Sequence, residues 1–259
     1  MKVYEFGQEN ERTMLMFQSS AEPYWVFNRA AMAMAEDFHV FLAAAEGHNP
    51  EEDSTFVSVE KYADDAASYL KAHGVKELDA LYGVSMGGAT AMRLLATQAI
   101  PVKKAIIDAG VTPYSYPLII RKWIALKDLV TIGIATKNVG IAKKIMPPER
   151  WTPAGEDPED WYRRIFDFLG SKRYSRKTIY NTFWSTNNWS CPDPMPVLDT
   201  EMEYWYGEEE KKARAEHLAW AKKHFPQLKP VEFKGYAHAE LVMVYPERFH
   251  EEAMRFLKD

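Results

Sequence analysis

Short apolar runs alternate with amphipathic stretches along most of this chain. Residues 2–6, 13–17, 39–43, 78–82, 103–107, 203–206 and 231–233 are runs of the length and β-branched or aromatic content expected of buried strands. Between them the pattern changes to a helical period. Residues 28–36 are rich in alanine and methionine, and residues 59–72 end before Gly74, a good helix stop. Residues 89–98, 211–224 and 246–257 complete the set, with Pro226 just beyond one helix and Pro246 at the start of the last. Alternation of this kind predicts an α/β protein: a mostly parallel central sheet flanked by helices on both faces.

The alternation breaks over residues 112–196. Prolines recur there at 113, 117, 147, 148, 153, 158, 192 and 194, and five of the eight tryptophans fall in the same stretch. The segment predicts an inserted helical cap, which divides the core into residues 1–111 and 197–259. It carries thirteen Lys and Arg against eight Asp and Glu, a net +5 in a chain whose formal charge is −5. A basic insert on an acidic body would draw anionic substrates toward a cleft between them.

Composition narrows the classes further. At 259 residues with 47% hydrophobic content, the chain can bury a large core. Cys191 is the single cysteine, so no intrachain disulfide forms, and a reducing, cytoplasmic compartment is expected. No apolar run reaches the roughly 18 residues of a membrane span, and the acidic balance gives no reason to expect nucleic acid. With no Walker loop, dinucleotide fingerprint or Cys/His cluster, no metal or other cofactor is expected.

The chemistry is concentrated at Gly83-Val84-Ser85-Met86-Gly87, between the apolar run 78–82 and the helical run 89–98. G-x-S-x-G between a strand and a helix is the pattern of a nucleophile elbow, whose sharp turn needs small flanking residues and lifts the serine above the sheet edge. A serine hydroxyl needs a base, and the base needs a group to orient it. His238 follows the last strand in Gly235-Tyr236-Ala237-His238-Ala239-Glu240-Leu241, and Glu208-Glu209-Glu210 follow Gly207 after the penultimate one. The order serine, acid, histidine is the one this strand–turn–helix geometry requires.

On these residues the chain resembles the α/β-hydrolase superfamily, over roughly two thirds of its length. Within it, the chain is similar to a bacterial group with a Tyr-Gly-Glu-x-Glu stretch followed by Gly-x-x-His-x-Glu-Leu, matched by Gly235, His238, Glu240 and Leu241. The resemblance implies Ser85 as nucleophile, His238 as base and Glu210 as the acid, three residues beyond the strand-ending glycine. Asp108, at the end of an earlier strand, is the alternative acid, because some members place it there. It also implies an oxyanion hole from the backbone N–H groups of Met86 and of Ser20. Members usually carry His-Gly in the latter loop, where this chain has Gln18-Ser19-Ser20-Ala21. His48, in Glu46-Gly47-His48, matches a structural Gly-His loop. The implied activity is hydrolysis of a small ester through an acyl-enzyme, with thioesters, lactones and activated C–C bonds open to the same machinery. The aromatic residues of the insert, Trp184 among them, would line a pocket for an apolar or aromatic group. The competing class is a non-catalytic ligand-binding protein on the same fold.

Overall fold

The computed structural model describes residues 1–136 and 138–258, and the backbone alone of Ile145. In chain order the elements of the first half are β1 (Lys2–Phe6), β2 (Thr13–Phe17), α1 (Asn28–Met34), β3 (His39–Ala44), α2 (Val59–Ala72), β4 (Leu78–Val84), α3 (Met86–Thr97) and β5 (Val102–Asp108). Five helices follow: α4 (Leu118–Ala135), α5 (Val139–Ile145), α6 (Pro148–Trp151), α7 (Pro158–Leu169) and α8 (Arg176–Thr186). The chain then returns to the sheet with β6 (Glu201–Gly207), α9 (Lys211–His224), β7 (Lys229–Phe233), α10 (Glu240–Val244) and α11 (Pro246–Leu257).

The seven strands form one sheet in the order β1-β3-β2-β4-β5-β6-β7. Only β1 runs antiparallel, against β3; every other pairing is parallel. Parallel neighbours need crossovers, which is why α2, α3 and α9 cover one face while α1 and α11 cover the other. The period-2 alternation of each strand divides its side chains between those layers. Leu15, Phe41, Leu81, Ile107 and Tyr204 enter the core under α2 and α3. Met14, Val40, Tyr82, Ile106 and Trp205 enter the core with Phe249 and Leu257 of α11. Each large side chain so buried contributes about 1.5–3 kcal/mol of transfer free energy.

β2 and β4 are central and buried on both faces, so their sequences read as continuous apolar runs. α4 to α8 interrupt the alternation between β5 and β6. α8 is one of the pieces that join them to the body: its Ser185 hydroxyl accepts from the Val59 N–H at the start of α2 (2.7 Å), and Asn181 donates to the Phe56 carbonyl (2.8 Å). α4 lies against α8, and Arg121 of α4 donates to the Asn188 side chain just beyond α8 (2.8 Å). All parallel strands point their carboxyl ends the same way. In an open α/β sheet that edge is where ligands bind.

Candidate active site

Ser85 occupies the one-residue turn between β4 and α3 with φ 56° and ψ −112°. A positive φ strains a non-glycine residue, and the surrounding structure must hold it there. Two backbone hydrogen bonds do so: the Ser85 N–H donates to the Asp108 carbonyl (2.8 Å) and the Ala89 N–H donates to the Ser85 carbonyl (3.1 Å). Steric room comes from the glycines. A Cβ on Gly83 would lie 2.2 Å from the Gly87 carbonyl oxygen, and one on Gly87 would lie 2.4 Å from that of Phe17. Both clashes are with backbone, so no side chain could yield.

Strain is not confined to the serine. Ala21, Ser85, Ala109 and Ala239 all have positive φ, and they follow β2, β4, β5 and β7 at the same edge of the sheet. Gln98, the remaining non-glycine residue of this kind among those described, merely ends α3. Clustering of costly conformations at one edge is what a built site leaves behind.

His238 sits in the loop between β7 and α10. Its Nδ1 lies 2.8 Å from Glu210 Oε2, and the Glu210 side chain is 8% exposed. The glutamate is positioned locally. It closes a single 3-10 turn, Glu208 to Glu210, and its Oε1 accepts from the Gly207 N–H at the end of β6 (3.3 Å). Arg214 Nε, one turn into α9, is 3.0 Å from Oε2, a charge contact whose N–H is not aligned for a hydrogen bond. Burial acts to raise the Glu210 pKa. The hydrogen bond and charge of His238, with Arg214 and the Gly207 N–H, outweigh it and hold the carboxyl below its ordinary value.

The neighbouring glutamates have separate partners. Glu208 accepts from the Gly235 N–H (2.9 Å), tying the acid turn to the histidine loop. Glu209 is 51% exposed and pairs with Arg150 (2.8 Å) from α6. The same Arg150 donates through Nε and Nη2 to both oxygens of Glu240 (2.8 and 2.7 Å), whose side chain is 3% exposed. Glu240 in turn accepts from the Ala237 N–H (2.7 Å), next to His238. A residue of the inserted helices therefore clasps the histidine loop.

Asp108 ends β5, in register with Val84 and Trp205. It is buried and accepts from the Tyr82 hydroxyl (2.7 Å), not from His238. Burial pushes it up to about 7; the Tyr82 hydrogen bond and the charges of His238 and Arg214 oppose that, while the charge of Glu210 adds to it.

Met86 is the first residue of α3 and fully buried. Its N–H is among the first four of the helix, which have no intrahelical acceptor. Across from it is the loop after β2. Gln18 fastens that loop, accepting from the Ala45 N–H (3.1 Å) and donating to the Glu22 carbonyl (3.0 Å). Ser20 is half-buried within the same turn, just before the left-handed Ala21. Glu22 follows, hydrogen-bonded by the Ser19 hydroxyl; burial drives its carboxyl up to about 7, against the pull of Ser19 and of the His238 charge.

The structure thus gathers Ser85, Met86, the Ser20 loop, His238, Glu210 and Asp108 at one edge of the sheet, and gives the His238 hydrogen bond to Glu210. Ser85 Oγ and His238 Nε2 do not share a hydrogen bond. Trp184 lies on α8. It stacks on Tyr180 (centroids 6.4 Å apart) on the half-exposed side of α8, opposite buried Thr178, Thr182 and Ser185. His48 is fully buried, donates through Nδ1 to the Glu46 carbonyl (3.1 Å), and is pushed down to about 4 by burial. Sequence reasoning missed Glu22 and Arg150. Neither has a motif, though Glu22 adjoins the loop where the usual His-Gly is absent.

Residues 19–252 match the family model described as the alpha/beta hydrolase family, and the chain belongs to that family. No curated protein sequence matches the chain. Among solved structures it is similar to a protein from Desulfitobacterium hafniense assigned to the alpha/beta hydrolase family (18% identity, TM-score 0.74, covering 99% of this chain and 100% of that one). A serine hydrolase from the polyaromatic-hydrocarbon-degrading bacterium Cycloclasticus zankles is similar at 16% identity and TM-score 0.70, over 98% and 92% of the two chains. So is a thermophilic esterase from Thermogutta terrifontis, at 16% identity and TM-score 0.69, over 99% and 92%. At these identities the likeness is one of fold.

Proposed function

We propose that this protein is a serine hydrolase that cleaves a small carboxylic ester through an acyl-enzyme. The observation that carries the reading is the His238–Glu210 hydrogen bond (2.8 Å) on the same sheet edge as a strained serine elbow. In this scheme His238 Nε2 takes the Ser85 proton as Oγ attacks the ester carbonyl. The tetrahedral oxyanion is held by the Met86 and Ser20 N–H groups. His238 then protonates the departing alkoxide, leaving Ser85 acylated and the alcohol free. Water, deprotonated by His238, attacks the acyl-enzyme, and collapse returns the proton to Ser85 and releases the acid. Glu210 remains ionised throughout. Its depressed pKa suits it to stabilise the imidazolium and to fix the tautomer with Nδ1–H toward the acid.

Residues 112–196 act as the cap in this reading, docked on the histidine loop through Arg150. An apolar or aromatic acyl group would suit its ring-rich composition, and the reading needs no metal or cofactor. The cytoplasm is the compartment a lone cysteine favours.

Ser85→Ala tests the scheme with a p-nitrophenyl ester series. Hydrolysis should fall by at least about 10³-fold while the melting temperature stays near the parent's, since the elbow serine serves chemistry and not packing. Residual turnover within about tenfold would remove Ser85 from the mechanism.

A further inference from the structure

α4 presents an apolar stripe that no described residue of the protein covers. Ile119, Trp123, Leu126, Val130 and Ile134 recur at steps of four and three, which places them along one side of the helix. Ile119 is 78% exposed and Trp123 63%, and the others are more than half exposed. The opposite side of α4 is already used. Ala125 is buried there, and Leu129 and Ile132 pack on the cluster of Phe168, Leu169, Tyr174 and Ile179. A helix needs one apolar face to dock on its own domain, so the second has no role within the fold. Val139 and Ile141 on α5, the next helix, are exposed as well. Of fourteen exposed large hydrophobic side chains among the described residues, nine lie between 118 and 141, so the exposure is a patch and not a scatter.

Charge decides what the patch fits. Residues 118–145 hold six Lys and Arg against one Asp, a net +5 within a chain of net −5. Lys122 and Lys127 are exposed beside Trp123 and Leu126, and Lys144 is exposed on α5. Two copies meeting face to face would bring like charges together across the contact. A sheet of anionic phosphates would instead be attracted, with the apolar row entering the headgroup–acyl boundary and the lysines remaining at the phosphates. We propose that α4 and α5 form a docking surface for an anionic lipid bilayer.

One further feature agrees with this surface. A cleft of about 920 Å³ opens between α4, α7 and α8, walled by Leu129, Leu169, Tyr174 and Ile179. Val130 and Ile134 belong both to its rim and to the exposed stripe. Docking along α4 would thus bring an apolar cleft to the bilayer surface. No helix of the described residues is long and apolar enough to cross a membrane, so the association is peripheral and reversible.

The inference does not rest on ester hydrolysis, and its test reads binding alone. The full chain is floated with vesicles of phosphatidylcholine, pure or mixed with phosphatidylglycerol, and its oligomeric state is measured by light scattering. Binding should be at least about tenfold stronger to the phosphatidylglycerol vesicles and should be released in about 1 M NaCl. Ile119→Ser with Leu126→Ser, and separately Lys122→Glu with Lys144→Glu, should each weaken binding by about tenfold or more. These side chains are exposed, so parental melting temperatures are expected, and a melting curve verifies that each variant is folded. The proposal is overturned if the parent ignores phosphatidylglycerol vesicles or if folded stripe variants bind as the parent does. It is equally overturned if the parent is a stable dimer that Ile119→Ser with Leu126→Ser converts to monomer, which would give the stripe to a second copy.

Discussion

Replacing Asp108 with asparagine should stabilise this protein at alkaline pH while leaving hydrolysis largely intact. Asp108 is 5% exposed, and its hydrogen bond comes from the neutral Tyr82 hydroxyl (2.7 Å). Burial lifts its pKa from 3.8 to about 7, so the folded state holds this proton far more tightly than the unfolded chain does. The sign follows from linkage. The stability contributed by the bound proton is complete below about pH 4, where both states carry it. It declines as pH rises, because the unfolded chain ionises first, and it is fully lost once pH passes the folded value near 7. A shift of roughly three pKa units at about 1.36 kcal/mol each puts the loss on the order of 4 kcal/mol by pH 8. Asparagine has nearly the same shape, can accept the Tyr82 hydrogen bond, and does not ionise. The variant should therefore match the parent near pH 4 and exceed it at pH 8. For a chain of this size that gap is worth roughly 10 °C in melting temperature. Melting curves of both proteins from pH 4 to pH 8 supply the test, with ester turnover measured on the same samples. A variant less stable than the parent across the whole range would refute the account of a buried, proton-holding Asp108. Turnover reduced by orders of magnitude would show instead that Asp108 is the acid serving His238.

The complementary change is Glu210→Gln, which removes the negative charge from His238 Nδ1 and should lower kcat/KM by about 10³–10⁴-fold; a nearly silent variant would take Glu210 out of the mechanism. Arg150→Ala breaks three charge-assisted hydrogen bonds to Glu209 and Glu240 and leaves buried Glu240 without its cation. Glu240 is buried but Arg150 is 36% exposed, so water screens part of the loss; the cost is on the order of 1–3 kcal/mol, and the melting temperature should fall. Because the clasp holds the His238 loop, ester turnover should fall with it. An exposed-pair effect below about 1 kcal/mol, with unaltered kinetics, would mean that α6 does not anchor that loop.

The parts of the fold legible in the sequence are those where one local pattern decides the outcome. β1 and β2 begin and end where their apolar runs do, and α2, α9 and α11 match their helical periods and stop signals. β4 runs two residues beyond its apolar run because Gly83 and Val84 keep pairing or burying before the elbow. β7 starts two residues earlier than its apolar content suggests. Pro230 reads as a breaker, but β7 is the edge strand, where a residue without an N–H is tolerated. α10 is five residues long, too short for a period to show, and owes its place to burial of Leu241 to Val244. The elbow was legible because backbone sterics confine such a turn to glycine-flanked residues. The Arg150–Glu240 clasp spans 90 positions, and Glu22 acquires its raised pKa only from tertiary burial. Neither leaves a local trace. Trp184 shows the opposite limit: aromatic content marks a segment as apolar without saying which face of α8 a given ring occupies.

The central claim is that Ser85 is a nucleophile activated by His238. Incubating the protein with a fluorophosphonate probe and reading intact mass, then peptide masses, tests it most directly. The account predicts one phosphonyl adduct per chain, on Ser85, abolished in Ser85→Ala and slowed by orders of magnitude in His238→Ala, where no base takes the proton. An unlabelled parent at saturating probe, or an adduct on any other residue, would contradict it and leave the fold as a scaffold for binding.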